Sequence, residues 1–185
     1  VTGVLFLLEF AVFDPSDVIA AHALLARLRA DRLMMCTAES CTGGLIVGLL
    51  TEVPGSSDVV DRGFVTYSNG AKCDLLGVPA TLLARYGAVS AEVAVAMASG
   101  ALRHSTCDLA VAVTGIAGPG GGSAAKPVGL VHLAAQMRGQ SPMVDVLLLG
   151  DIGRSAVRLV TIRAALALCH QALDKGPGTI ALPVP

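Results

Sequence analysis

Three short stretches of the chain hold residue types that could do chemistry together. The first, TAESCTGG at 37–44, sets Glu39, Ser40, Cys41 and Thr42 beside Gly43 and Gly44, between two apolar runs. At a strand-to-helix junction such side chains project over the carboxyl end of a sheet, where ligands of open α/β folds bind. Free N–H groups at the helix start would hold an oxyanion or a phosphate there. The same residues also read as a plain helix start, with Ser40 as the capping side chain. On residue types alone a cap, a phosphate cradle and a nucleophile turn all stay open.

The second stretch, TYSNGAK at 66–72, offers Tyr67, Ser68, Asn69 and Lys72. It reads either as a polar turn or as the source of a base. A serine hydroxyl needs a base beside it, and a desolvated lysine can serve where no histidine is placed to do so. Lys72 and Lys126 are two of only three lysines in the chain, and residue type does not choose between them. The third stretch, TGIAGPGGGSAAKPVG at 114–129, is neither a P-loop, because Lys126 is followed by Pro127, nor a G-x-G-x-x-G fingerprint. It reads as a glycine-rich loop with many exposed N–H donors, suited to a ribose, a phosphate or part of an oxyanion hole. A linker between strands is the plainer alternative.

The elements around these stretches set where they can meet. Ser16 is the expected N-cap of a helix running to Asp31, followed by a short buried strand at 33–38. A helix is expected from near Cys41 through 45–53, a strand at 62–68, and two short helices stopped by Gly77 and Gly87. Ser90 opens a helix expected to reach Thr106, and DLAVAVTG at 108–115 is a strand covered on both faces. Strands at 128–137 and 143–150 are separated by a link of hairpin length, before a final helix from Arg154 to Lys175. The expected fold is α/β: a three-layer α/β/α sandwich on a mixed, mostly parallel central sheet. One domain is expected over 1–185, with 1–15 an apolar extension (an extra strand is one reading) and 176–185 a flexible tail.

Composition narrows the function classes. A formal net charge of −1 argues against a broad basic face for nucleic acid, while one or two arginines would suffice for a small anion. The core must be aliphatic, since 54% of residues are hydrophobic and only 3% aromatic. Five cysteines (36, 41, 73, 107, 169) and four histidines (22, 104, 132, 170) show neither zinc spacing nor a disulfide framework. A reducing cytoplasm is therefore expected, with no metal or other cofactor. The opening apolar run contains Glu9, lacks a basic start, and falls short of the roughly 20 residues that span a bilayer, so no membrane partner is expected.

Taken together, AESCTGG (38–44), PGSS (54–57), GFVTYSNGAKCDLLGV (63–78), GAVSAEVAVAMA (87–98) and VTGIAGPGGG…KPVG (113–129) resemble the CinA C-terminal domain family, the competence/damage-inducible proteins. The resemblance covers about 18–173. It implies metal-independent hydrolysis of the carboxamide of nicotinamide mononucleotide, giving nicotinic acid mononucleotide and ammonia. Carried onto this chain, it makes Ser40 the nucleophile and Lys72 the base, with Tyr67 beside them as a possible relay. It assigns Thr114, Gly115, Gly118 and Gly120 to a substrate loop, and groups Glu39, Thr42, Gly43 and Gly44 with the substrate-binding turn. Glu39 itself is expected to bond the backbone of its own motif or Thr42.

Arg154 is the expected phosphate contact. GDIGRSAVR keeps the mutual spacing of Arg154 and Arg158, but Gly153 stands where the family usually carries Asp. Longer family members carry a further N-terminal nucleotide-processing domain, so a stand-alone version is expected. Cys41 is the rival nucleophile, because a thiol at a helix start should have a lowered pKa. Three other readings compete: a non-catalytic nucleotide sensor, an amidase for a different nucleotide, and an assembly protein whose Ala-rich helix at 91–102 packs against another copy. A homo-oligomer is expected.

Overall fold

The computed structural model describes residues 12–175. The expectations for the apolar start of the chain and for the 176–185 tail therefore lie outside the described residues, apart from 12–15. Helix α1 spans Pro15–Asp31 and strand β1 Met35–Glu39; α2 is Leu45–Thr51, β2 Val60–Val65, α3 Asn69–Leu76 and α4 Ala80–Tyr86. Then come α5 (Ala91–Arg103), β3 (Leu109–Gly115), β4 (Leu130–Met137), β5 (Met143–Leu148) and α6 (Arg154–Asp174). The N-cap of α1 is Asp14, not Ser16; its carboxylate accepts from the Ser16 N–H, and Pro15 takes the first helical position.

The sheet order is β2-β1-β3-β4-β5. β1 pairs in parallel with β2 and β3, while β4 is antiparallel to both of its neighbours, so β4 alone runs against the rest. That is the mixed, mostly parallel sheet expected, with the β4–β5 hairpin where the short link predicted it. Side chains alternate across the strands and divide the core in two. Met35, Leu109, Val111, Val113, Val131 and Leu133 pack with α1, α2 and α6 on one face. Cys36, Ala38, Ala110, Ala112 and Ala134 face α3, α4 and α5 on the other. The three layers are thus as expected. By length and composition α6 could cross a membrane, yet its Val157, Ile162, Ala165, Leu166 and Cys169 are buried in the first of these layers.

The alanine face of the sheet explains the composition of α5. Small residues on both sides let the helix lie close, and Ala94, Ala98 and Ala101 are fully buried against it. Three of the alanines that suggested a subunit interface, Ala94, Ala98 and Ala101, are thus used inside the domain, while Ala91 and Ala96 are half-buried. Gly100 carries this closeness to α3: a Cβ there would stand 2.2 Å from the Leu76 carbonyl oxygen. Gly100→Ala would ordinarily stabilise a helix by about 1 kcal/mol. Here the expected result is the reverse, a loss of about 1–3 kcal/mol from overpacking, read as a lowered melting temperature. A rise in melting temperature would contradict the close α3–α5 approach.

Candidate active site

Three strand ends meet where the sheet order changes direction. β1 connects outward to β2 on one side and lies beside β3 on the other, so the carboxyl ends of β1 and β3 border a switch-point crevice. Ser40 follows β1 directly, and its N–H donates to the Val113 carbonyl of β3 at 3.1 Å. Thr66 follows β2, and its N–H donates to the Glu39 carbonyl at 2.8 Å. Thr114 and Gly115 end β3. A cavity of about 180 Å³ opens here, lined by Ser40, Cys41, Tyr67, Lys72, Ala88, Val89, Thr114, Gly115, Ala117 and Arg154.

Lys72 lies in the first turn of α3, whose start is set by Ser68; the Ser68 hydroxyl accepts from the Ala71 N–H at 3.0 Å. Its side chain is 1% exposed. Nζ donates to Ser40 Oγ at 2.9 Å and to the Thr66 carbonyl at 2.8 Å. Among the described residues no carboxylate pairs with it, and burial holds its pKa below the ordinary lysine value. The Thr66 carbonyl can only accept, so one N–H stays committed there in either protonation state. In the neutral amine this leaves the lone pair free to receive the Ser40 proton. Lys126, the other candidate, points elsewhere: its Nζ donates to the Tyr86 and Val89 carbonyls.

The opening turn differs from expectation in an instructive way. The helix begins at Leu45, not near Cys41, because Gly43 and Gly44 adopt φ of +62° and +94° and turn the chain first. Ser40 is therefore not its cap. Glu39, fully buried, takes that role: its carboxylate accepts from Gly44 N, Ile46 N and Val47 N and from Thr37 Oγ1, at 2.9–3.0 Å. The helix-start donors expected to hold an oxyanion are thereby occupied, and Glu39 cannot be a substrate contact. Thr42 is also fully buried and lies outside the cavity lining; its carbonyl accepts from Arg158 Nη2 at 2.7 Å, while its hydroxyl has no partner among the described residues. Gly43 and Gly44 lie outside the cavity lining. Among the described residues, the N–H groups of this turn that neither Glu39 nor a backbone carbonyl claims are those of Cys41, which lies against its own thiol, and of Thr42.

Replacing Glu39 by glutamine puts N–H groups where acceptors are required. Glu39→Gln is expected to cost roughly 3 kcal/mol of stability, measured by urea unfolding. A change under about 0.5 kcal/mol, the range of ordinary surface substitutions, would show that the carboxylate does not organise this turn.

Cys41 is 4% exposed and belongs partly to the α1/α2/α6 layer. Burial, seconded by the nearby Glu39 charge, pushes its thiol up to about 11, the opposite of the lowering expected at a helix start. Tyr67 is mostly exposed at the cavity mouth, and its hydroxyl accepts from Arg154 Nη2 at 3.0 Å. Among the described residues no hydrogen bond joins Tyr67 to Ser40 or Lys72, which are in direct contact without it. Arg154 Nη1 donates to the Gly118 carbonyl at 3.0 Å, so one guanidinium spans the mouth from Tyr67 to the glycine-rich loop. Arg158, one turn further along α6, faces Thr42 instead. Gly153 precedes α6 at φ +90° and supplies no side-chain cap. Thr114 is 1% exposed and its hydroxyl donates to the Ala88 carbonyl at 2.8 Å. Gly118 and Gly120 lie outside the lining. A larger hollow of about 500 Å³ at the other end of the strands is lined by Arg27, Asp31, Asp108, Arg138, Gln140 and apolar neighbours, without a nucleophile–base pair.

Residue types had not marked Thr66, Ala88, Val89 and Ala117 as site residues. All four do fall within three of the quoted motifs, 63–78, 87–98 and 113–129. They act through backbone atoms and small side chains, which leave little trace in composition.

The model of the CinA C-terminal domain matches residues 18–173. The chain belongs to the CinA family. A CinA-like protein of Akkermansia muciniphila is 47% identical over 168 residues, covering 91% of this chain and 40% of that relative. This CinA domain thus spans less than half the length of the curated relatives it matches. Among solved structures, the competence/damage inducible protein CihA from Agrobacterium tumefaciens is 52% identical with a TM-score of 0.86, covering 88% of this chain and 99% of that one. A CinA superfamily protein from Escherichia coli is 36% identical with a TM-score of 0.79, over 88% of this chain and 95% of that one.

Proposed function

We propose that this site hydrolyses the carboxamide of nicotinamide mononucleotide to nicotinic acid mononucleotide and ammonia. The observation that carries the reading is the buried Lys72 amine 2.9 Å from Ser40 Oγ, with its pKa held down by burial. Binding alone has no need of a buried amine against a hydroxyl; activating a nucleophile does. Lys72 takes the Ser40 proton as Oγ attacks the amide carbon, which the cationic pyridinium makes more electrophilic. The Cys41 N–H, next in the chain to the nucleophile, is one donor for the oxyanion. Lys72 then passes the proton to the nitrogen as the C–N bond breaks and ammonia leaves. A water, deprotonated by the same amine, cleaves the acyl-enzyme; the carboxylic acid departs ionised and Ser40 recovers its proton.

A cavity of about 180 Å³ suits the pyridine ring and its carboxamide, with ribose and phosphate at the mouth beside Arg154. A phosphate there would draw Arg154 from its neutral partners, the Tyr67 hydroxyl and the Gly118 carbonyl, because charge-assisted hydrogen bonds are the stronger ones. We extend the reading to a cytoplasmic location, which the five free cysteines support, and to a homo-oligomer. The test is ammonia release over nicotinamide mononucleotide, nicotinamide riboside and the oxidised dinucleotide. Turnover is expected on the mononucleotide, with a much higher KM for the riboside. Binding of the mononucleotide without ammonia release from any of the three would make the domain a sensor instead.

A further inference from the structure

Ala88 and Val89 form one wall of the cavity, in the irregular segment between α4 and α5, and every carbonyl along this wall is held by a side chain. The Tyr86 and Val89 carbonyls accept from Lys126 Nζ, the Gly87 carbonyl from the Ser90 hydroxyl, and the Ala88 carbonyl from Thr114 Oγ1. The N–H groups of Ala88 and Val89, by contrast, have no acceptor among the described residues. Ala88 and Val89 are half-buried and border the cavity, so their two unclaimed donors are placed to meet an acceptor on a bound molecule.

We propose that the Ala88–Val89 wall receives the oxygen of the scissile amide through one of these N–H groups, and that Lys126 is the positioning residue that holds the wall. This rests on the amidase reading above and deepens it. The Cys41 N–H is one donor to the developing oxyanion; the wall supplies a second, from the α5 layer across the cavity. Four consecutive carbonyls drawn toward Lys126, Ser90 and Thr114 leave the intervening N–H groups free for substrate. Gly87 belongs to the same device. It sits at φ +71°, and a Cβ there would lie 2.9 Å from Lys126 Nζ, so a side chain would push the amine off its two carbonyls.

The experiment uses the Ser40→Ala protein, expected to bind without turnover, in a proton–nitrogen correlation spectrum titrated with nicotinamide mononucleotide. The Ala88 or Val89 amide proton is expected to move downfield by more than any amide outside the cavity. In the otherwise native enzyme, Lys126→Met and Gly87→Ala are each expected to lower kcat by roughly 10–100-fold, the usual cost of misplaced positioning groups. The acid limb of the pH profile stays where Lys72 sets it, since the base is untouched. Binding that shifts Gly115 and Ala117 but leaves the Ala88 and Val89 amides unmoved overturns the wall assignment and leaves the amidase reading standing. A native enzyme that neither binds the nucleotide nor releases ammonia overturns both. Should Lys126→Met fail to fold, Gly87→Ala and the spectrum decide the matter.

Discussion

Replacing Ser40 by alanine is expected to abolish ammonia release, by on the order of 10⁴- to 10⁶-fold, while nucleotide binding stays measurable. The size of the loss follows from the site's construction. Ser40 Oγ is the hydroxyl in contact with the buried amine, and the neighbouring thiol cannot replace it. With a pKa of about 11, Cys41 is almost wholly protonated at neutral pH, although it borders the cavity. Alkylating reagents at neutral pH are accordingly expected to leave turnover of the native enzyme intact. Single-turnover kinetics and calorimetric binding on the same Ser40→Ala sample separate lost chemistry from lost binding. A variant with more than about a tenth of native activity would remove Ser40 as nucleophile, because a missing nucleophile costs several orders of magnitude.

Lys72→Met is expected to have the second largest effect, a fall in kcat on the order of 10³- to 10⁵-fold, because a serine hydroxyl without a base is a weak nucleophile. The pH dependence of the native enzyme carries the same assignment. Only the neutral amine can accept the Ser40 proton, so kcat/KM falls as pH drops through the Lys72 pKa. Burial lowers that pKa, so this acid limb lies below the 10.5 of an ordinary lysine.

Stability has a matching sign. Between the lowered folded value and the ordinary unfolded one, the unfolded chain binds more protons, so the Lys72 contribution to stability rises with pH across that window. Below the folded value the full cost of burying the charge is present. Native minus Lys72→Met unfolding free energy should therefore climb with pH toward 10.5 and level off above it. A flat difference would mean that Lys72 is not desolvated as the fold requires.

These two residues show how far the chain's order of amino acids reaches. Continuous apolar residues at 109–115 announce a strand covered on both faces, and the short 138–142 link announces an antiparallel partner for β4. Ser68 and Ser90 are legible as helix starts because a cap acts within three residues of its own position. Gly77 and Gly87 mark helix ends for the same local reason. The same locality explains the errors. Ser16 and Ser40 look like caps, but the chain had closer alternatives: Asp14 with Pro15 in one case, a two-glycine turn with Glu39 in the other.

By itself, then, the sequence determined the alternating strands and helices, the caps and turns, and the candidate groups Ser40, Lys72 and Arg154. Tertiary structure alone decided which of them meet. It joined Ser40 to an amine 32 residues away and turned Lys126 onto the Ala88–Val89 wall. It also closed Glu39 inside the motif it caps, and raised the Cys41 thiol where a helix start had promised to lower it. The physical reason is range. Periodicity, capping and turn chemistry act over a few residues and are written in the order of the chain. Desolvation and the pairing of a base with its nucleophile depend on what packs around a group, and only the closed α/β/α sandwich supplies that surrounding.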